Sequence, residues 1–448
     1  MNEARKIRPR SRRRAHRVAI ALATTLAAGS LAIMACDDRT GGDILTRTGT
    51  PIPEDAQPER DVPPIFEAGV DTGRDAGDGS AGFTCPAGST PRSIRTACAD
   101  GGTPLAPPAQ LVTDLAAGAP GDVVSLSGMN ESDAPCLPVV VCTPSDAPTL
   151  LFSDSPEMPS QDGVLYADTV PAGRYRLYVY HANGGTALRK FPIVALNQSV
   201  NPAKITIVRR GLAAPSTAYV SIGKTVILDW LVDRAPVDVT VPPGQRVLLD
   251  PALDALHASQ DELVHAIYDV VVDRTVKISF VSVLASADAA GATAGLSLLA
   301  RDVDHQRGTF ANADVLVALA PGPGAQRSGV QRLRLGLDEV DETLEGVDAP
   351  TGVKQRLLGN YGMLYRFALG LPAPAQAAIA PRGGAWGGIA QPIAADGGAT
   401  SITLPSATAA LGTTTDAIVL GTTAGSKELR LMSAGGSNLP IDLFVVTP

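Results

Sequence analysis

The chain has 448 residues and a formal charge of −8, with 45 Gly, 36 Pro and only 4% aromatic residues. Residues 1–35 hold eight Lys/Arg against one acid, Glu3, so everything after them carries −15. That acidity excludes a phosphate-backbone partner, hence nucleic acid, and equally excludes electrostatic docking on anionic lipid. The length leaves room for about two or three domains. The abundance of turn formers with few large aromatics predicts short strands joined by tight turns.

Taken in order, the chain opens with a basic head and an Ala- and Leu-rich apolar run, SRRRAHRVAIALATTLAAGSLAIMACDD over 11–38. This head, run and small-residue end are the parts of an export signal, placed at 1–35. The tetrapeptide Ile33-Met34-Ala35-Cys36 resembles the lipobox of bacterial lipoproteins. That resemblance implies lipidation of Cys36, with membrane contact through acyl chains, and a place in the periplasm or on the cell surface. An uncleaved N-terminal anchor is the competing reading, and Ser11-Arg12-Arg13 carries a trace of a twin-arginine signal. No later apolar run reaches the ~18 uncharged residues that a bilayer span requires.

Residues 36–110 are rich in Asp, Gly, Pro and Thr and poor in apolar side chains, which predicts a flexible linker that cannot offset its ordering entropy. Asp71, Asp75 and Asp78 miss the register of a calcium loop. With Cys36 set aside, Cys85, Cys98, Cys136 and Cys142 form an even set, which in an exported chain predicts disulfides. The local pairs Cys85–Cys98 and Cys136–Cys142 are the expected ones. No CxxC spacing supports a metal.

Two β-sandwich-like domains are expected next, at 111–290 and 291–448, so the fold class is all-β with tandem antiparallel sandwiches. LPVVVCT, GVLYADTV, RYRLYVYHA, KFPIVAL and KITIVRR follow one another between turn signals. In RYRLYVYHA, Tyr175, Leu177 and Val179 alternate, which predicts a half-buried strand. TAYVSIGKTVILDWLV reads as strand. Its Ile222-Gly223-Lys224-Thr225 ends like a phosphate loop but lacks the first glycine. ALDALHASQDELVHAI (252–267) is the one expected helix. After an Ala/Gly-rich hinge at 285–295, a last series of strands runs to the C-terminus.

Phrases between about 171 and 388 resemble secreted bacterial proteins labelled copper amine oxidase-like or stalk-domain proteins. They are Gly223-Lys224, VHAIYD, HQRGTFANAD (305–314), LEGVDA (344–349), GNYGMLY (359–365) and Pro381-Arg382-Gly383-Gly384. The stalk domain itself is absent, so the resemblance implies no oxidase chemistry. It singles out His305, Arg307, Asn360, Tyr361 and Arg382 as ligand or loop-bracing residues, and Trp386, a tryptophan among glycines on a loop, joins them on its own chemistry. Arg307 and Arg382 would pair with carboxylates such as Asp302 or Asp348.

For chemistry, His181, His257, His265 and His305 stand in no metal-ligand spacing, and no G-x-S-x-G elbow occurs. DEVDETLEGVD (338–348) offers Asp338, Glu339, Asp341, Glu342 and Asp348 to a calcium ion, although a solvated acidic loop is the preferred reading. No other cofactor is expected. Of the two tryptophans, Trp230 sits in an apolar run and Trp386 among glycines. A carbohydrate platform would favour Trp386, whereas packing on the sheet is the plainer role. Without a nucleophile–base pair, the expectation is a non-catalytic envelope protein that binds a glycan or protein or builds structure. The alternative is a hydrolase or metal-binding protein whose residues converge only in the fold.

Overall fold

The strand that orders the molecule is Gly173–Ala182, GRYRLYVYHA, whose last eight residues are all buried. Its pleat sends Tyr175, Leu177 and Val179 into one apolar core and Tyr178 and Tyr180 into another. The expected half-buried strand is therefore covered on both faces. The computed structural model describes residues 85–92, 103–319, 328–336, 341, 343–371, 374–406, 410–422 and 426–448. These belong to one unit spanning Gly77–Pro448.

The architecture is all-β, with four sheets in a sandwich-like arrangement. Gly173–Ala182 lies within an eight-stranded sheet, between Leu263–Val272 and Thr149–Ser153. On one side, Gly163–Val170 and Val276–Leu284 belong to a five-stranded sheet, and the core between them holds Leu165, Tyr166, Ile193, Ile205 and Phe280. On the other side, Val315, Phe367 and Leu431 of a seven-stranded sheet and Leu443 of a second five-stranded sheet share a core with Phe152, Tyr178 and Tyr180. A third, smaller core seats Leu111 and Leu115 of the helix Ala109–Ala117 against Val419 and Phe444.

Several expectations change. Strand pairing crosses the boundary placed at 290/291: Arg307–Phe310 pairs with Thr149–Ser153, Asp314–Leu319 with Val139–Pro144, and Val123–Ser125 with Asp416–Gly421. Not every pairing is antiparallel. Thr149–Ser153 runs parallel to Gly173–Ala182, because the chain visits the facing sheet at Gly163–Val170 between them. Asp314–Leu319 and Leu364–Ala368 are also parallel. The stretch YVSIGKTVILDWL is a helix, Tyr219–Leu231, not a strand. Its Ile222, Val226, Ile227, Trp230 and Leu231 form one buried stripe at helical spacing, and that burial overrides their strand propensity. The helix lies so close to the strand Ala203–Leu212 that a Cβ on Gly211 would meet the Val226 carbonyl oxygen at 2.1 Å. Conversely, the expected helix at 252–267 stops after Pro251–Asp254, and Leu263–Val272 is a central strand between Gly173–Ala182 and Ala203–Leu212.

The expected linker also ends earlier than residue 110. Ser89–Pro91 pairs with Val139–Pro144, and Leu105 bridges to Val330. Cys85 joins Cys142, closing a loop of sequence separation 57. The expected local pairing is thereby overturned for both cysteines, and Cys136 is disulfide-bonded as well. The physical reason is that strand pairing brings residues 89–91 alongside 142–144. Cys36, Cys98, Asp71, Asp75 and Asp78 lie outside the described residues.

Arg307 and Asp348 form a fully buried ion pair, Nε to Oδ1 at 3.1 Å and Nη2 to Oδ2 at 3.4 Å. Arg307 Nη1 also donates to the Leu165 and Leu299 carbonyl oxygens at 2.6 and 2.8 Å. Truncating one partner leaves a buried charge uncompensated, a cost of about 3–5 kcal/mol. Arg307→Met is accordingly expected to lower the urea unfolding free energy by about that amount. The double variant Arg307→Met/Asp348→Leu recovers part of the loss, and a double-mutant cycle measures it.

Candidate functional site

The site begins where the strand Thr149–Ser153 gives way to Asp154-Ser155-Pro156-Glu157. Phe152 faces the second core and stacks on Tyr178 with ring centroids 4.8 Å apart, and Tyr178 in turn stacks on Tyr180 at 6.4 Å. Beyond these rings the chain leaves the sheet, and Asp154 and Glu157 meet His305 and Tyr361 around a cleft of about 170 Å³. Gly435, Gly436 and Asn438 supply the remaining rim. Gly435 is required there by contact, since a Cβ would fall 2.3 Å from Cε2 of Tyr180.

Asp302 organises one wall. Its carboxylate accepts from the backbone N–H of Glu157 at 2.8 Å and of His305 at 2.7 Å. It also approaches His305 Nδ1 at 3.0 Å, while His305 Nε2 lies 2.6 Å from Glu157 Oε2. Imidazole between two carboxylates is favoured as imidazolium. The hydrogen bond to Glu157 first, then the charges of Glu157, Asp154 and Asp302, outweigh partial burial and push His305 up to about 9. Burial pushes Asp302 upward, yet those two backbone N–H groups and His305 hold it below the ordinary carboxylate value.

Asp154 differs. Only 9% of its surface is exposed, and its Oδ1 accepts no hydrogen bond from any described residue. Burial, then the neighbouring charge of Glu157, raises its pKa well above the usual range. A perturbed acid in a cleft, with an identifiable desolvating wall and charged partner, marks a functional candidate. Four tyrosines, Tyr178, Tyr180, Tyr219 and Tyr361, are raised first by burial and then in part by Asp154, Glu157 or both.

Of the residues singled out from sequence, His305 and Tyr361 line this cleft, and the Tyr361 hydroxyl donates to the Ser437 carbonyl. The other four are placed elsewhere. Arg307 is in the buried pair with Asp348. Asn360, at φ 48°, donates to Asp341 Oδ2 at 3.0 Å and to the Tyr365 hydroxyl at 2.8 Å. Arg382 pairs with Glu131, not with Asp302 or Asp348. Trp386 is fully buried and its Nε1 donates to Ser433 Oγ at 3.0 Å, which removes it as an exposed platform. Among the calcium candidates, Asp341 accepts from Tyr365, Asn360 and the Gly336 N–H, and Asp348 holds Arg307 and Thr351. Asp338, Glu339 and Glu342 lie outside the described residues. Among the described residues no three His, Cys, Asp or Glu side chains gather as a metal site.

A nucleophile–base pair does occur. Ser153 Oγ lies 2.9 Å from His181 Nε2, and His181 Nδ1 lies 2.9 Å from the Pro156 carbonyl oxygen. Both side chains are fully buried, so no substrate carbonyl reaches Ser153. A second concavity, lined by Arg174, Arg176, Arg209, Trp230 and Arg366, carries ion pairs of its own. Arg176 binds Asp269 and Asp314, and Arg366 binds Glu428 and Asp146.

No family model matches the chain, and no curated protein matches it. Among solved structures, the PBSX exported protein XepA is 11% identical, covering 63% of this chain and 86% of its own, with a TM-score of 0.15. An oxalate decarboxylase from Lactobacillus farciminis is 10% identical over 67% of this chain and 86% of its own, with a TM-score of 0.14. A mutant oxalate decarboxylase from Bacillus subtilis is 11% identical over 67% and 77%, at 0.10. TM-scores this low carry no argument about fold or chemistry.

The imidazoles make stability depend on pH in two directions. Burial depresses His181 to about 3 and His265 to about 4, so their contribution is full above the ordinary value near 6.5 and lost as pH falls through those values. His305 is raised, so its contribution is full below about 6.5 and lost as pH rises through about 9. Urea unfolding followed from pH 6 to 10 is expected to show a decline on the alkaline side that His305→Gln abolishes.

Proposed function

We propose that this chain is a non-catalytic, lipid-anchored protein of the bacterial cell envelope that holds a ligand in the Asp154 cleft. The anchor rests on the basic head, the apolar run and Ile33-Met34-Ala35-Cys36. A linker from Cys36 would carry the folded part away from the membrane, and two or more acyl chains would make the attachment stable. The partner would be an envelope glycan or protein presenting one small group to the cleft.

The observation that carries the binding role is Asp154, a buried acid whose Oδ1 has no hydrogen-bond partner among the described residues. A buried polar group without a hydrogen bond costs free energy, and a site kept at such a cost is a candidate for recognition. A catalytic role finds less support. Glycoside hydrolysis pairs a neutral acid with a free carboxylate, and Asp154 with Glu157 has that composition. Glu157, however, is already taken by His305 at 2.6 Å. Ser153 and His181 are sealed in the core.

Two measurements test the proposal. Mass spectrometry of the membrane fraction is expected to show an acylated N-terminus at Cys36, absent in Cys36→Ser; an intact Met1 without acyl mass would overturn the anchor. Asp154→Asn removes an acid whose ionised form burial disfavours, so that folding raises its pKa. The variant is therefore expected to unfold at higher urea than the parent at pH 7, with an unchanged slope, while losing ligand. A destabilised Asp154→Asn would make Asp154 a structural residue instead.

A further inference from the structure

We propose that the cleft takes a primary ammonium group at the end of a slender aliphatic chain, such as a lysine side chain or an alkyl diamine. This rests on the binding role of the same cleft and names its ligand class. The charged groups facing the space come from every element around it. Asp154 and Glu157 lie after the strand Thr149–Ser153, and Asp302 and His305 come from the opposite loop. Tyr178 and Tyr180 come from the central strand, and Tyr361 from the turn that precedes Leu364–Ala368. Two carboxyl groups, Asp154 and Glu157, therefore line the cleft with one imidazolium, Asp302 backs His305 from behind, and among the described residues no Lys or Arg lines the cleft.

Geometry selects the chemistry further. Asp154 Oδ1 lacks a donor from the protein, so the occupant must bring one, and an N–H of an ammonium group does so with charge. The aromatic wall of Phe152, Tyr178, Tyr180 and Tyr361 suits a cation and its methylenes together. A volume of about 170 Å³ receives a small head group, not a glycan chain. On entry the ammonium favours the ionised carboxylate, so whatever proton Asp154 holds leaves to buffer as the charge-assisted hydrogen bond forms. No other bond changes.

Titration calorimetry on the full chain with cadaverine, tetramethylammonium and N-acetylglucosamine tests this. Cadaverine is expected to bind, to release protons in proportion shown by buffers of different ionisation heat, and to bind more tightly at pH 8 than at pH 6. Asp154→Asn, which should remain folded, is expected to weaken it by roughly tenfold or more. Equal binding of tetramethylammonium would overturn the primary-ammonium assignment. Cadaverine binding unchanged in Asp154→Asn would overturn the site. N-acetylglucosamine binding that depends on Asp154, with no cadaverine binding, would overturn the ligand class and leave the binding role standing. Silence from all three probes would remove both.

Discussion

A strand covered on both faces has no side on which to put a charge or a hydroxyl cheaply, and Gly173–Ala182 carries both. Everything around it answers that constraint. Arg176, buried beside Trp230, is matched by Asp269 on the neighbouring strand and Asp314 on the facing sheet, and it also donates to the Gly362 carbonyl. His181 finds Ser153 and the Pro156 carbonyl. These partners come from segments far apart in sequence, so pairing them fixes how the sheets sit on each other. The phenols of Tyr178 and Tyr180 lie where the facing layer opens, and that opening is the cleft.

The cleft follows from the same economy. Where Thr149–Ser153 ends, the apolar alternation stops and SDSPEMP turns the chain outward, placing two acids three residues apart beside the aromatic stack. Asp302 then gathers backbone N–H groups from both loops, so Glu157 and His305 are held from the main chain as well as by each other. Asp154 Oδ1 and His305 Nδ1 are left without a hydrogen-bond partner among the described residues. A polar wall with unsupplied buried groups is the arrangement expected where a ligand completes the network.

The all-β class was legible because the turn formers and β-branched runs leave little else to build. The strands around Tyr175, Leu177 and Val179 and the core role of Trp230 could be read from alternation and hydropathy alone. Two things could not. YVSIGKTVILDWL and LVHAIYDVVV are both rich in Val and Ile, and only the partners decide that the first is a helix on Gly211 and the second a central strand. The cleft draws His305 and Tyr361 from phrases already conspicuous, but Asp154 and Glu157 come from a plain Pro-containing loop, and nothing local ties them to Asp302 about 145 residues later. The arginines were conspicuous for the opposite reason: the chemistry of both calls for a carboxylate, with Asp302 and Asp348 as candidates, but only topology gives Asp348 to Arg307 and Glu131 to Arg382.

The cystine between Cys85 and Cys142 has a mechanical consequence. Tension arriving along the chain from ahead of Cys85 passes through a covalent bond straight to Cys142, inside the strand Val139–Pro144. The helix Ala109–Ala117 is bypassed by that path. The load meets a strand flanked on both sides, by Ser89–Pro91 and Asp314–Leu319. A pull on the leading segment is thus delivered to a strand inside the sheet and not to its short outer neighbour alone.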